Sequence, residues 1–167
     1  MALGNNDIGD DGAASLAPAL GRLSQLASLS LGQNGIGAAG AAALAAPIAL
    51  LTALTLLALS YNDVGAGGAA SLAPALSRLS RLVCLSLSGT GIAASGASAL
   101  APALVRLAAL TLLYLGGNRL GDDGLQQLTP ALARLTCLRN LDISNNGVHD
   151  AAVDAFRAQL PASVWPT

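Results

Sequence analysis

Leu26-Ala-Ser-Leu29-Ser-Leu31-Gly-Gln-Asn34, followed by Gly35-Ile36-Gly37 and the run Gly40-Ala-Ala-Ala-Leu44-Ala45, decides how this chain of 167 residues folds. The stretch recurs along the whole sequence. Its asparagine returns as Asn6, Asn34, Asn62, Asn118 and Asn146, always a multiple of 28 residues apart, with Thr90 standing in the one remaining place. The leucines keep the same phase, as Leu29, Leu57, Leu85, Leu113 and Leu141 in one row and Leu31, Leu59, Leu87, Leu115 and Ile143 in the next. Self-similarity at a fixed period of roughly 20 to 50 residues marks a solenoid, in which each unit buries its apolar face only by stacking on its neighbours. Six copies fill the chain, at roughly 1–25, 26–53, 54–81, 82–109, 110–137 and 138–167, and no linker divides them, so residues 1–167 read as a single domain.

One copy already contains two kinds of structure. Leu29-Ser30-Leu31 alternates apolar with small polar residues, which places the leucines on one face of a short strand and the serine on the other. Asn34 then turns inward, where an amide repeated at the same place in successive turns can satisfy backbone groups that a turning chain leaves unpaired. Thr90 keeps a hydroxyl and loses the amide, so a looser fourth turn is expected. Beyond the turn the period lengthens to that of a helix: Ile36, Gly40, Leu44 and Ile48, and likewise Leu120, Gly124, Leu128 and Leu132, are spaced by four, with glycine where the layers must approach closely. Asp10-Asp11 and Asp122-Asp123 at the helix starts, and Arg22, Arg78, Arg106 and Arg134 near the ends, complement the helix dipole. Pro18, Pro74, Pro102 and Pro130, with Pro47 displaced by one residue in the second copy, fall inside the helical pattern and predict short, kinked helices.

The pattern Leu-x-x-Leu-x-Leu-x-x-Asn-x-Ile-Gly-x-x-Gly-x-x-x-Leu-Ala-x-x-Leu, read at Leu26 to Ile48 and again at Leu110 to Leu132, resembles the leucine-rich repeat of the ribonuclease-inhibitor type. The same class occurs in the repeat arrays of NOD-like receptors and of Ran GTPase-activating proteins. The resemblance implies an α/β, right-handed horseshoe solenoid of strand-turn-helix repeats, with a parallel sheet on the concave face and helices on the convex face. Spacing argues for the same arc, because strands pack about 4.8 Å apart while helices need about 10 Å. The function it implies is a non-catalytic protein–protein interaction scaffold, within a larger protein of which this chain is read as a fragment or domain. A Ran-type GTPase-activating scaffold is the alternative, although the acidic tail of such proteins is missing here and no motif beyond the repeat transfers.

Composition narrows the remaining classes. The chain is 53% hydrophobic and 2% aromatic with a net charge of −1, and every basic residue is Arg and every acidic one Asp. Neither sign forms a run. A nucleic-acid surface would need clustered cations, and the arginines at 22, 78, 106 and 134, interrupted by Leu50, read as a solvated rim; no nucleic acid is expected as a partner. Ala41 to Leu59 carries no charge, but the repeat phase accounts for it as a helix, a connection and a strand, so no membrane span is expected. Met1-Ala-Leu-Gly-Asn-Asn-Asp has neither a basic start nor an apolar core, which argues against a secretory signal and for a cytoplasmic, intracellular location. Cys84 and Cys137 fall in different phases two rungs apart, beyond disulfide reach, and are expected as reduced thiols. No metal site and no cofactor are expected with a single histidine. Asp142, Ser144, His149 and Asp150 lie close in sequence near the end, yet they form no nucleophile elbow, and the chain is read as no enzyme.

Two expectations remain for the surface. The asparagines at 6, 34, 62, 118 and 146 are assigned a structural ladder, while the candidate protein-binding residues of the concave face are Leu56, Tyr61, Cys84, Leu112, Tyr114, Asn140 and Asp142. Gly116 and Gly117 are expected to leave space beside Tyr114, and a tyrosine with apolar neighbours is a favoured interface anchor. At the ends, Leu3, Ile8 and Leu16 are expected to face an uncovered core through which the chain self-associates or continues into a larger protein. The last copy turns polar and is expected to cap the stack, with Trp165 covering it.

Overall fold

The computed structural model describes residues 1–160 and 164–166. Among them helices and strands alternate in the order α1 (Gly9–Leu20), β1 (Ser28–Ser30), α2 (Ala38–Ile48), β2 (Leu56–Ala58), α3 (Gly65–Leu76), β3 (Cys84–Ser86), α4 (Ala93–Leu104), β4 (Leu112–Tyr114), α5 (Gly121–Leu132), β5 (Asn140–Asp142), α6 (Asp150–Arg157) and β6 (Trp165–Pro166). The strands form one parallel sheet in chain order. From β1 to β5 each residue lies opposite its equivalent 28 positions on, Leu29 against Leu57, Leu57 against Leu85, Leu85 against Leu113 and Leu113 against Leu141. The leucine rows of the sequence are therefore rows in space, all five of these side chains are fully buried, and the core runs unbroken between sheet and helices. Each strand is too short to be stable alone; stacking on the rungs either side is what holds it.

The two ends depart from the repeat. In the first copy Ala2 makes only a bridge to Ser30, enclosed by bonds from Leu3 N–H to Ser30 O (2.8 Å) and from Ser30 N–H to Met1 O (3.0 Å). At the other end β6 adds to β5 in a shortened register, Asn140 opposite Trp165, a step of 25 residues instead of 28. The tail thus contributes backbone to the sheet edge, while the Trp165 side chain, expected over the core, lies outside the described residues. Leu3, Ile8 and Leu16 are half-buried against the core at the first end, and Phe156 is buried under α6.

The prolines do not shorten the helices. Pro18, Pro74, Pro102 and Pro130 each sit two residues before the end of a helix of 12 residues, and Pro47 one residue before the end of α2. In the last turn the missing N–H costs one bond, and the chain closes beyond it: Gly21 N–H reaches Ala17 O at 3.1 Å and Ser77 N–H reaches Ala73 O at 3.1 Å. Among the described residues no helix is long and apolar enough to cross a membrane.

What ties one rung to the next, besides the sheet, is the asparagine series. Asn62 Oδ1 accepts the N–H of Asn34 and of Ile36, both at 3.0 Å, while its Nδ2 donates to Leu31 O (2.9 Å) in the preceding rung and to Leu59 O (2.7 Å) in its own. Asn118 and Asn146 repeat this pattern, and Asn34 repeats most of it. All four are buried. The series breaks where Thr90 replaces the amide. Its single Oγ1 proton is shared between Leu87 O (2.7 Å) and Asn118 Oδ1 (3.0 Å), which lie in its own rung and the next, so the N–H groups of Asn62 and Val64 receive no acceptor from it. The fourth rung is itself well bonded; the weak joint lies between the third and the fourth. Thr90→Asn should restore the series and raise unfolding stability by about 1–2 kcal/mol, read as an increased urea midpoint at unchanged slope. An unchanged midpoint would mean that the joint is already satisfied.

Candidate interaction face

Alternation along each three-residue strand turns one residue inward and two outward, and the parallel register lines the outward ones into columns. Ser28, Leu56, Cys84, Leu112 and Asn140 form the first, and Ser30, Ala58, Ser86, Tyr114 and Asp142 the second. Every residue of these columns from Leu56 onward is half-buried. The first column is apolar through three rungs, Leu56, Cys84 and Leu112. The second is small until Tyr114 and Asp142. Burial pushes the Cys84 thiol up, which makes it a space-filling member of the column and a poor nucleophile.

Tyr61 stands apart from the columns. It occupies the turn after β2 rather than the strand, with φ of 58°, and is 64% exposed at the rim of the sheet. Equivalent positions carry glycine in the next two rungs, Gly89 and Gly117, where the left-handed backbone costs nothing. The ring lies across the next rung: a Cβ on Gly89 would stand 2.8 Å from Tyr61 Cδ1. Asp142 reaches across rungs in the same way. Its Oδ1 accepts Ser144 N–H (2.9 Å) and Ser144 Oγ–H (2.7 Å), and its Oδ2 covers Gly116, where a Cβ would be 2.7 Å away. The space expected at Gly116 is therefore filled by this carboxylate, which bonds its own turn instead of extending into water.

The polar residues near the last rung do not assemble for catalysis. His149 Nδ1 lies 2.9 Å from Asp122 Oδ2 in the preceding repeat, and His149 N–H donates to Asp122 Oδ1 at 2.9 Å; Ser144 is bonded to Asp142 instead. The backbone bond from His149, then the ring contact, hold the Asp122 carboxyl below the usual carboxylate range. Among the described residues no group of three or more His, Cys or Asp side chains is placed to hold a metal ion.

Asp122 shows a role that the sequence reading did not find. It caps the start of the following helix, as Asp10 does by accepting the N–H of Gly37 (2.7 Å) and Gly40 (2.9 Å). Where the preceding helix offers this carboxylate, Gly37 and His149 enter their helices with extended backbone; where it offers Ala38, Ala66 or Ala94, the entering residue, Gly65, Ala93 or Gly121, is left-handed and bonds forward to the next turn's carbonyl. The only sequence signal is that Asp10 and Asp122 share a phase.

Comparison with known proteins follows the same divisions. A family profile described as leucine-rich repeat matches at residues 2–17, 25–45, 51–73, 80–101, 109–128 and 134–156, one match to each copy. No curated protein sequence matches the chain. Among solved structures, the chain is similar to actin-binding site 2 of leiomodin-1, with a TM-score of 0.65 and 17% identity over 89% of this chain and 87% of that one. It also aligns with an internalin of Listeria monocytogenes, at a TM-score of 0.45 and 21% identity over 88% of this chain and 48% of the other. At these identities the likeness is one of fold.

Proposed function

Because this chain belongs to the leucine-rich repeat family, we propose that it is a non-catalytic scaffold that binds a protein partner through the sheet face. The observation that carries the reading is the pair of outward columns, in which Leu56, Cys84 and Leu112 lie in register beside Tyr114 and Asp142 on a parallel sheet whose other side is wholly buried. Such a face offers a fixed apolar strip ending in one carboxylate, and a rigid strip loses little entropy when a partner settles on it. Helices of 11 or 12 residues in the first five repeats support the ribonuclease-inhibitor type of repeat. A protein partner is also in keeping with the solved neighbour named for its actin-binding site, although the likeness extends to fold alone and carries no actin binding to this chain. Neither comparison supports a GTPase-activating role.

A partner that uses this face should lose affinity when the anchors are cut. Tyr114→Ala with Asp142→Ala is expected to weaken binding by at least about 2 kcal/mol in isothermal titration, while Ser30→Ala changes it by less than about 0.5 kcal/mol. Equal affinity of wild type and the double variant would move the site off the sheet. Self-association through the first end is the second expectation, supported by Leu3, Ile8 and Leu16, which are only half-buried against the core there. Sedimentation velocity should show a concentration-dependent dimer, and Ile8→Glu should abolish it; a monomer at every concentration would remove this contact.

A further inference from the structure

The helix-to-strand edge of the stack carries a pattern that the sheet face does not explain. Arg22, Leu50, Arg78, Arg106 and Arg134 each lie two residues beyond the last residue of α1 to α5, and all five are exposed. No acidic residue falls in the segments 21–27, 49–55, 77–83, 105–111 and 133–139, which hold six of the chain's eight arginines. The ion pairs among the described residues are His149 with Asp122 and Arg157 with Asp154, so none of the arginines on this edge is neutralised. The helix dipole accounts for a cation at each helix end. It does not account for Leu50, the most exposed of the large aliphatic side chains among the described residues at 54%, standing in phase with them.

We propose that the row Leu50, Arg78, Arg106 and Arg134 binds an extended acidic polypeptide segment, with one apolar residue on Leu50 and a carboxylate on each arginine. Spacing sets the pattern. Packed helices stand about 8–10 Å apart, and three residues of extended chain span about 10 Å, so successive rungs meet every third residue of the ligand. The ligand reads apolar-x-x-acidic-x-x-acidic-x-x-acidic. Beside the row, a groove of about 360 Å³ between α3 and α4, lined by Ala73, Pro74, Ser77, Pro102, Ala103 and Arg106, offers an aliphatic floor. A nucleic acid would use aromatic platforms for its bases, and these five segments contain no aromatic residue. Polypeptide is the better fit.

The test is fluorescence anisotropy with a labelled peptide, Leu-Ser-Ser-Glu-Ser-Ser-Glu-Ser-Ser-Glu, at low ionic strength. Saturable binding is expected. The triple variant Arg78→Glu/Arg106→Glu/Arg134→Glu should weaken it at least about 10-fold, since each exposed pair contributes modestly and reversal turns attraction into repulsion. Leu50→Ser should weaken it as well, and raising the salt should lower affinity. The Tyr114→Ala/Asp142→Ala variant should bind the peptide normally, which separates this edge from the sheet face. Circular dichroism melts confirm that the variants remain folded; Leu50, Arg78, Arg106 and Arg134 are all exposed. Absence of saturable binding overturns the proposal, as does equal affinity of the triple variant. An isomer with its three glutamates contiguous should bind several-fold more weakly; equal binding would reduce the edge to net charge and overturn the spacing. A single-stranded oligonucleotide binding more tightly than the peptide, and lost in the same triple variant, would assign the edge to nucleic acid instead.

Discussion

Asn118→Ala is expected to lower unfolding stability by about 3–5 kcal/mol, the largest loss from any single truncation in the asparagine series. Asn118 is fully buried and its side chain ties its own rung to the preceding one. Its Oδ1 accepts the N–H groups of Thr90 (3.0 Å) and Ile92 (3.3 Å), and its Nδ2 donates to Leu87 O (2.7 Å) and Leu115 O (2.9 Å). Removing it strands two N–H donors between packed leucines, while Leu87 O and Leu115 O keep their bonds from Thr90 Oγ1 (2.7 Å) and Asn146 Nδ2 (2.9 Å); each buried polar group without a partner costs about 1–3 kcal/mol, tempered where the cavity admits water. It also removes one of the two acceptors within reach of Thr90 Oγ1, in the rung whose backward joint is already broken. Asn6→Ala is the control: Asn6 is exposed and its Nδ2 reaches only Gly4 O (2.9 Å), so about 0.5 kcal/mol or less is expected. Urea unfolding followed by circular dichroism reads both. Equal effects at 118 and 6 would show that the buried amides are spectators.

The adjacent glycines of α3 are expected to respond with opposite signs. Gly68 faces α2: a Cβ there would stand 2.7 Å from Val64 Cγ1, 3.0 Å from Ala41 Cβ and 3.3 Å from Ala38 Cα. The valine Cγ1 can rotate away, but Ala38 Cα is backbone of the neighbouring helix. Gly68→Val must therefore part α2 from α3, at a cost of about 3 kcal/mol. Gly67, one residue earlier, would meet only Ala38 Cβ at 3.8 Å, an ordinary contact, and is exposed. Gly67→Ala should gain about 0.5–1 kcal/mol by removing freedom from the unfolded chain. The thermal midpoint of Gly67→Ala should rise and that of Gly68→Val fall. The same sign at both positions would mean that helix propensity, and not helix approach, governs these residues.

What the sequence makes legible is whatever repeats. Leu29, Leu57, Leu85, Leu113 and Leu141 are read as one row because a period of 28 can be counted, and the sheet register confirms them one against the next. The buried amides are read the same way, with Thr90 marked as the exception. Contacts between rungs that belong to a single pair of rungs are illegible. Asp10 caps α2 across 27 and 30 residues, the Tyr61 ring covers Gly89, and the Asp142 carboxylate occupies the space over Gly116, and no neighbour in sequence announces any of them. The prolines mislead for a related reason. Helix periodicity places them inside the pattern, but only the position of the helix end shows that they fall in a last turn, where a missing N–H costs little.

The sheet face can serve as a fixed platform only if each turn is locked by the next rung's asparagine, and amide hydrogen exchange measures that lock directly. The N–H groups of Asn34, Ile36, Thr90, Ile92, Asn118 and Leu120, each accepted by a buried Oδ1, are expected to exchange slowly. Those of Asn62 and Val64, which face Thr90, are expected to exchange at least about 10-fold faster, the factor that follows from losing roughly 1.4 kcal/mol of protection, and Thr90→Asn should slow them to match the rest. Uniform protection at all eight amides in the unaltered chain, or fast exchange at Thr90 and Ile92, would contradict the lock.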